Sequence, residues 1–349
     1  MNYSYTYDNL ISIENIFQAW DKFKKRKLEK KDVQEFYRNL EDNLFELHRK
    51  LKNKTYRHGS YQDFYVNDPK RRHIHKAQVS DRIVHHLLYK YLYDIFDKTF
   101  IYDSYSCRLN KGTHKAVGRL DKFARKVSKN YSGQCWALKC DIKKFFASVD
   151  HKILLKLLER RIKDKNILWL IGEIIDSFQL GVKPLKGIPL GNLTSQIFAN
   201  IYMNELDQFA KHRLNIRYYL RYADDFVIIS KNKKVLQELE IPISNFLSKS
   251  LKLKLHSKKI IFRRLSWGIE FLGCIVLSHY SLVRTKTKKR IFTRIGKKII
   301  ERSKGIISDY FLEQTVQSYL GILKHSNGYA LSQRLKNEIW FSSETLNID

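Results

Sequence analysis

The stretch IRYYLRYADDFVIIS, residues 216–230, decides the fold of this chain. Two runs rich in β-branched and aromatic residues, 216–220 and 226–230, flank a short segment with two acids, which predicts a β-hairpin. Asp favours turns for reasons unconnected with catalysis. Adjacent carboxylates such as Asp224 and Asp225 nevertheless repel one another, and a bound cation relieves that repulsion. The hairpin is therefore predicted to hold a cation, with a simple acidic turn as the alternative.

A third acid ends a separate apolar run. Residues 134–141 have the length of a strand and finish at Asp141, and a helix is predicted over about 150–162. If Asp141 and Asp224 meet, their carboxylates hold two Mg²⁺ ions roughly 4 Å apart, one activating a 3′-hydroxyl and one neutralising a triphosphate during in-line displacement. The residues alone thus point to nucleotidyl transfer.

Composition indicates a folded protein with a polyanionic partner. The chain has 349 residues, of which 43% are hydrophobic and 13% aromatic, and this excludes a disordered chain. Lys and Arg number 66 against 35 Asp and Glu, which leaves a net charge of +31. An enzyme of neutral metabolites does not need such an excess, whereas nucleic acid attracts it. The four cysteines form no CxxC pair, so neither a zinc ribbon nor a disulfide framework is predicted.

The sequence predicts neither a secretory leader nor a membrane span. The first ten residues, MNYSYTYDNL, have no basic region followed by an apolar core, and the longest apolar stretch, 167–175, is interrupted by Glu173. We therefore expect a cytoplasmic protein that does not bind membranes.

Hydrophobic spacing outlines the rest of the chain. Apolar residues recur every three or four positions over 10–51, which predicts two amphipathic helices. Residues 61–76 are typical of a basic strand-loop-strand, and 81–96 again have helical spacing. The segment after Val283 is predicted to be helical, and residues 284–304 hold ten Lys or Arg against one acid.

Five motifs occur in the order of the palm motifs of reverse transcriptases. They are CDIKKFF (140–146), GIPLG (187–191) with Ser195, YADD (222–225), LHSKK (255–259) and EFLGC (270–274). Over about 40–335 the chain resembles reverse transcriptases of the superfamily that includes group II intron and retron enzymes. It is most similar to those of diversity-generating retroelements.

Three stretches, 68–86, 100–114 and 190–196, indicate that branch. The last is the most telling, because most similar reverse transcriptases have Gln at the position of Leu190 and Pro at that of Gln196.

The resemblance implies an α+β right-hand polymerase with an antiparallel palm sheet. The expected regions are an N-terminal helical extension (1–60), fingers (61–135, with 150–186 interleaved), a palm (136–280) and a basic helical thumb (281–349). The implied function is an RNA-directed DNA polymerase that copies a template RNA into error-prone cDNA for targeted mutagenesis in a diversity-generating retroelement. A retron, group II intron-like or phage-defence reverse transcriptase is the alternative, and a non-catalytic RNA-binding protein of the same fold is a third.

The resemblance also implies ligands and partners. The expected cofactor is a pair of Mg²⁺ ions, with Mn²⁺ as a substitute. The expected substrates are deoxynucleoside triphosphates, and the expected partners are a template RNA, an RNA/DNA duplex and an accessory variability protein.

By the family pattern, Asp141 and Asp224 are metal ligands and Asp225 supports the same site. The backbone carbonyl of Ile142 or Cys140 completes the coordination. Lys259 matches the proton donor for the departing pyrophosphate, and an exposed structural lysine is nearly as good an explanation for it.

The other implied contacts are with nucleotide and primer. Arg108 matches the fingers arginine that holds the triphosphate, and Lys76 and Arg82 are candidates for its companion cation. Phe146 matches the aromatic residue that excludes a 2′-hydroxyl, with core packing as the alternative. The remaining predicted residues are Leu190, Gly191 and Gln196 around the nucleotide, and Phe271, Leu272 and Gly273 as the primer grip.

Overall fold

The computed structural model describes residues 6–67, 70–178 and 185–344. Residues 1–5, 179–184 and 345–349 of the expected regions, and Asp68 and Pro69 of the motif stretch 68–86, lie outside the described residues. The helices are α1 Tyr7–Leu10, α2 Ile13–Lys24, α3 Lys31–Arg38, α4 Leu40–Lys52, α5 Val79–Phe96, α6 Thr113–Val127, α7 Phe145–Ser148, α8 His151–Glu159, α9 Lys165–Asp176, α10 Leu193–Gln208, α11 Lys233–Leu251, α12 Thr285–Ser303, α13 Asp309–Leu323 and α14 Tyr329–Glu344. The strands are β1 Gln62–Val66, β2 Arg72–Lys76, β3 Trp136–Cys140, β4 Tyr219–Tyr222, β5 Asp225–Ser230, β6 Ile261–Arg264, β7 Ile269–Phe271, β8 Cys274–Val276 and β9 Ser281–Val283.

From residue 6, where the described chain begins, the N-terminal region contains four helices, and three of them follow Leu10, so the prediction of two helices over 10–51 was wrong. Ser12 caps α2 by accepting a hydrogen bond from the Asn15 N–H, and Asn39, at φ −121° and ψ 48°, separates α3 from α4. These breaks are set by caps and backbone angles, which leave the apolar spacing unchanged. Trp20 and Leu44 are fully buried in the core that these helices share with α5.

The basic strand-loop-strand is confirmed as the antiparallel hairpin β1–β2, in which Asp63 lies opposite His75. The predicted helix over 81–96 is confirmed as α5, which packs against α2 and α10. The predicted helix over 150–162 is confirmed as the shorter α8, with Asp150 as its N-cap.

A four-stranded antiparallel sheet in the order β4-β5-β3-β6, the central sheet, lies in the middle of the chain. Its side chains alternate between two cores, as the two-residue period of a strand requires. Leu138 and Ile228 face the large core with α8 and α10, whereas Ala137 and Val227 face a second core with α6. Helices α8 and α10 thus cover one face of the central sheet, and α6 with β7 and β8 covers the other.

The C-terminal part has its own sheet and core. Strands β7, β8 and β9 form an antiparallel meander, and α12, α13 and α14 enclose a third core that includes Ile295 and Tyr319. The predicted helical tail is therefore confirmed. Among the described helices, none is both long and apolar enough to cross a bilayer.

Candidate active site

The acids of two strands meet at one end of the central sheet. Cys140 on β3 pairs with Phe226 on β5, and this register places Asp141 opposite Asp225. The two carboxyl groups are close enough that Asp141 raises the pKa of Asp225. Asp224 lies in the turn between β4 and β5, beside both. The structure thus brings together the three acids that the sequence singled out.

Burial and mutual repulsion shape the charges of this carboxylate cluster. Burial, together with the negative charges of Asp225 and Asp141, raises the pKa of Asp224 to about 6. Burial also raises the pKa of Asp225, against the opposing charge of Lys139. Two acids whose ionisation burial opposes, together with the neighbouring Asp141, are suited to a divalent cation, since carboxylate oxygens are preferred Mg²⁺ ligands.

Lys259 lies directly at the cluster. Its Nζ is 2.8 Å from the Asp141 Oδ1, and its side chain remains partly exposed. The short helical turn that carries Lys259 is held by a hydrogen bond from the Lys259 N–H to the carbonyl of His256. The lysine therefore lies within reach of any phosphate bound at the carboxylates, and its role as a proton donor stays a prediction.

The backbone beyond Asp141 turns one carbonyl away from the neighbouring strand segment. The Asp141 carbonyl accepts a hydrogen bond from the His256 N–H, and the Lys143 N–H donates to the Lys254 carbonyl. Ile142 is the residue between these two bonds and pairs with Leu255. Such a pair turns its own N–H and C=O away from the partner strand. The Ile142 carbonyl thus faces the side of the sheet where β5 lies.

A metal-free stability measurement tests this electrostatic picture. The pKa of Asp224 is higher in the folded than in the unfolded protein, so the folded protein binds more protons. The free energy of unfolding therefore falls as the pH rises from about 4 through 6. We expect Asp224→Asn to raise the free energy of unfolding in EDTA at pH 8 by about 1–3 kcal/mol, which raises the melting temperature by a few degrees. At pH 4.5 we expect little gain. The control Asp42→Asn, at an exposed acid in the first turn of α4, should give no gain at either pH, and an equal gain of Asp224→Asn at both pH values would contradict the assignment.

The loop at the start of α10 is tied to the β1–β2 hairpin. The carbonyl of Leu190 accepts a hydrogen bond from the His75 N–H at 2.9 Å, and the Asn192 side-chain amide donates to the His75 carbonyl at 3.0 Å. Gly191 has φ +113°, and a Cβ there would lie 2.8 Å from the Ile74 Cγ2. Only glycine fits this position. Gln196, by contrast, is exposed on α10.

Phe146 lies beside the same loop. Its carbonyl accepts a hydrogen bond from the Ile188 N–H at 2.8 Å, and its ring meets that of Phe145 edge-on at 5.4 Å. The ring packs against the large core but stays partly exposed. Both sequence interpretations, a contact with the sugar and a place in the core, are thus compatible with its position.

The three predicted phosphate-binding cations all have protein partners. Arg108 is nearly buried, and its guanidinium donates to the Asp97 carboxylate at 2.6 Å and to the carbonyl of Ile101 at 2.8 Å. Arg108 thus secures the loop after α5, and it needs to leave these acceptors before it binds a triphosphate.

Lys76 and Arg82 share a partner that the sequence analysis missed. The Lys76 Nζ lies 2.9 Å from the Asp32 Oδ2, and Arg82 contacts the same oxygen. Burial raises the pKa of Asp32, but hydrogen bonds from the two cations outweigh it and lower the pKa overall. Asp32 belongs to α3, so an acid of the N-terminal helices bridges both cations.

The predicted primer grip is a tight turn between β7 and β8. Leu272 and Gly273 form the turn with φ of 50° and 85°, and the Gly273 carbonyl accepts the Arg284 N–H at 3.0 Å. Phe271 is fully buried in the second core. The turn is available to a ligand, whereas the Phe271 side chain supports it from beneath.

Sequence reasoning also missed Arg221, which lies on β4 three residues before Asp224 and is fully buried. It donates to the Asp207 carboxylate at 2.8 and 2.6 Å and to the Ala223 carbonyl at 2.8 Å. Ala223 has φ 55°, a left-handed conformation that costs a non-glycine residue about 1–3 kcal/mol. Arg221 thus holds the strained turn that carries Asp224. A charged residue inside an otherwise apolar strand was the available signal.

Comparisons with known proteins find chains of similar sequence. Protein YkfC of Escherichia coli (strain K12) is 27% identical over 229 residues, 55% of this chain and 60% of the relative. The group II intron-encoded protein LtrA of Lactococcus lactis subsp. cremoris is 23% identical over 302 residues, 67% of this chain and 49% of the relative. The chain thus spans about half to three-fifths of the length of these relatives.

A solved structure shares the fold. The telomerase of Candida albicans, in complex with a fragment of telomeric RNA, superposes with a TM-score of 0.51 at 12% identity, over 80% of this chain and 58% of that chain. This likeness confirms the polymerase-like α+β fold. Residues 66–276, well over half of the chain, match the family described as "Reverse transcriptase (RNA-dependent DNA polymerase)". The carboxylate cluster lies inside that matched region, and the chain belongs to the reverse transcriptase family.

Proposed function

We propose that this chain is an RNA-directed DNA polymerase that joins deoxynucleoside triphosphates by two-metal nucleotidyl transfer. The observation that carries the proposal is the meeting of Asp141, Asp224 and Asp225 at one sheet end, with Lys259 in contact with Asp141. Bound Mg²⁺ ions, or Mn²⁺ in their place, would activate the attacking 3′-hydroxyl and stabilise charge on the triphosphate.

Each residue of the site has a separate role. Asp141 and Asp224 supply carboxylate oxygens, Asp225 adds negative charge beside them, and the Ile142 carbonyl faces the same space. Lys259 holds a proton within reach of the departing pyrophosphate. Phe146 and the loop 187–191 form the wall beside the incoming sugar.

We assign the β1–β2 hairpin and α5 to fingers, the central sheet to the palm and α12–α14 to the thumb, following the boundaries expected from the sequence. On α12, Lys286, Lys289 and Lys297 are exposed, while Ile291 and Ile295 are buried against α13 and α14. A helix with one basic face and one buried face is suited to the phosphates of a template RNA or an RNA/DNA duplex.

The direct test is primer extension by the purified full chain on a primed RNA template. We expect extension with four deoxynucleoside triphosphates and Mg²⁺, none in EDTA, and much less with ribonucleotides. Binding of the primed RNA without any extension would instead favour a non-catalytic RNA-binding protein.

The bridge from Asp32 gives a sharper prediction about the fingers cations. If Lys76 and Arg82 bind the triphosphate, Asp32 competes with it for both. Each surface ion pair of this kind is worth about 0.2–1 kcal/mol. We therefore expect Asp32→Asn to lower the KM for deoxynucleotides about twofold to tenfold with little change in kcat.

The matched control is Asp42→Asn on the neighbouring helix α4, where the acid is exposed. It should leave the KM unchanged. An unchanged or raised KM in Asp32→Asn would show that the bridge is structural and that the triphosphate binds elsewhere.

Within the family, we infer that the chain serves targeted mutagenesis in a diversity-generating retroelement, together with an accessory variability protein. Leu190, in the loop before α10, and Gln196, in the first turn of α10, support this inference. The Leu190 backbone is fixed by His75, so its side chain is presented in a defined place. A leucine offers the incoming nucleotide no hydrogen bond, and a looser contact discriminates less well against mismatches.

We expect Leu190→Gln to lower misincorporation about threefold to tenfold, most clearly opposite template adenine, because one hydrogen bond contributes about 0.5–1.5 kcal/mol. Products from one template would be sequenced for both proteins. The control Leu28→Gln changes an exposed leucine between α2 and α3 and should leave the error spectrum alone. Equal error frequencies at every base would refute the role of Leu190.

The alternative within the enzyme class is a group II intron-like or retron reverse transcriptase. The similarity to the group II intron-encoded protein LtrA favours it. The neighbourhood of the gene separates the two: a template repeat, a matching variable repeat and a small basic accessory gene would support the retroelement, and their absence beside an intron RNA would support the alternative.

A further inference from the structure

One face of the β1–β2 hairpin carries three potential metal ligands. His73 and His75 alternate on β2 and therefore share a face, and Asp63 lies directly opposite His75 on β1. The His75 Nδ1 is 2.8 Å from one oxygen of Asp63, and the His73 Nε2 is 3.2 Å from the other. One ligand atom of each residue lies within 4.8 Å of the others.

These distances are close to those of a tetrahedral zinc site. Zn–N and Zn–O bonds of about 2.0–2.2 Å place neighbouring ligand atoms of a tetrahedron about 3.3–3.6 Å apart. The two carboxylate–imidazole contacts, at 2.8 and 3.2 Å to different oxygens of Asp63, therefore need to lengthen by about 0.1–0.8 Å, and the three ligand atoms already lie within 4.8 Å of one another. Two imidazoles and one carboxylate suit Zn²⁺, whereas Mg²⁺ and Ca²⁺ favour oxygen ligands.

The two rings are held in place by neighbours. His75 is buried, with its ring 4.6 Å from that of Phe178, and its backbone is bonded to Leu190 and Asn192. The His73 ring stacks on Tyr65 at 4.6 Å and 10°. Such supports fix ligand orientation before a metal arrives.

We propose that Asp63, His73 and His75 bind one Zn²⁺ ion, separate from the carboxylate cluster of Asp141 and Asp224. The fourth ligand is water. The ion crosslinks β1 to β2 and, through the backbone of His75, stiffens the attachment of the hairpin to the loop 190–192. The competing explanation is that Asp63 simply forms two hydrogen-bonded pairs with the histidines.

The test measures metal binding by the full chain in excess Mg²⁺, which keeps Zn²⁺ from the carboxylate cluster. Zn²⁺ is titrated against a chromophoric chelator, and Co²⁺ serves as the absorbance probe for tetrahedral coordination. We expect one equivalent of Zn²⁺, with the affinity lowered at least about tenfold by His73→Gln or Asp63→Asn. The matched control is His212→Gln, at an exposed histidine of another region, and it should bind as the wild type does.

A second measurement separates a metal site from ordinary ion pairs. Amide hydrogen exchange over 62–66 and 72–76 should slow on adding Zn²⁺ to the wild type and stay unchanged in His73→Gln. Because both altered side chains are partly or fully exposed, the variants are expected to fold, and their melting temperatures without metal check this. The proposal would be overturned if the wild type bound no Zn²⁺. It would also be overturned if one Zn²⁺ ion bound with an affinity that neither substitution changed.

Discussion

Asp141→Asn and Asp224→Asn are each expected to reduce primer extension at least about a thousandfold. Each substitution keeps the size of the side chain but removes one negative charge from a site whose carboxylates meet at one sheet end. Loss of about 4 kcal/mol of transition-state stabilisation corresponds to three orders of magnitude in rate. Single-turnover extension on a primed RNA template measures the effect.

Two controls give this experiment its meaning. Asp42→Asn should extend primers normally, and both active-site variants should bind the primed template with nearly unchanged affinity, since the basic face of α12 is untouched. Near-normal extension by either variant would refute the catalytic assignment. Together with the expected gain in metal-free stability of Asp224→Asn, the result would show that this charge cluster costs stability and is kept for activity.

Arg221→Met is expected to destabilise the protein by about 3–5 kcal/mol and to slow extension at least about tenfold. The substitution leaves the buried Asp207 carboxylate without its cation, and removing one partner of a buried pair is far more costly than losing a surface contact. It also removes the hydrogen bond from Arg221 to the Ala223 carbonyl, which supports the strained turn that carries Asp224. Thermal unfolding in EDTA reports the stability, and extension at a temperature where the variant is folded reports the turn.

A second variant distinguishes the two effects. Asp207→Asn combined with Arg221→Met removes the stranded charge and keeps an acceptor for the Tyr219 hydroxyl, which donates to Asp207 at 2.7 Å. We expect this pair to recover more than half of the stability while extension stays low, because the turn still lacks its support. The control Arg213→Met, at an exposed arginine, should change neither property. Full recovery of extension in the double variant would show that Arg221 acts on stability alone.

Local patterns predicted the elements that carry the acids. The apolar run 134–140 and the β-rich run 226–230 correspond to β3 and β5, and the acids lie at the ends of these runs. The predicted boundaries of the strands were less accurate. The strand predicted at 216–220 is β4, Tyr219–Tyr222, in the structure. Arg221 and Tyr222 therefore belong to the strand, and only Ala223 and Asp224 form the turn. A two-residue turn depends on the register between the strands, which the apolar pattern leaves open by one or two residues.

Polar contacts between distant segments had no counterpart in local spacing. Asp32 meets Lys76 across 44 positions of sequence, and Lys259 meets Asp141 across 118. Arg108 was predicted from its motif to face phosphate, yet in the structure Asp97 and nearby carbonyls take up its donors. Charged residues follow no hydrophobic period, so their partners depend on which surfaces the packed cores bring together.

The sequence by itself determined the family, the antiparallel strands and the three acids, because β-rich runs of strand length and the order of motifs can be read from short stretches of chain. The tertiary structure decided that Asp141 faces Asp225, that Arg221 holds the turn beneath Asp224, and that Asp63, His73 and His75 converge on one face of a hairpin. These outcomes depend on strand register and on burial. Burial raises the pKa of Asp224 and removes Arg221 from solvent. Register and burial are set only when the whole core has formed.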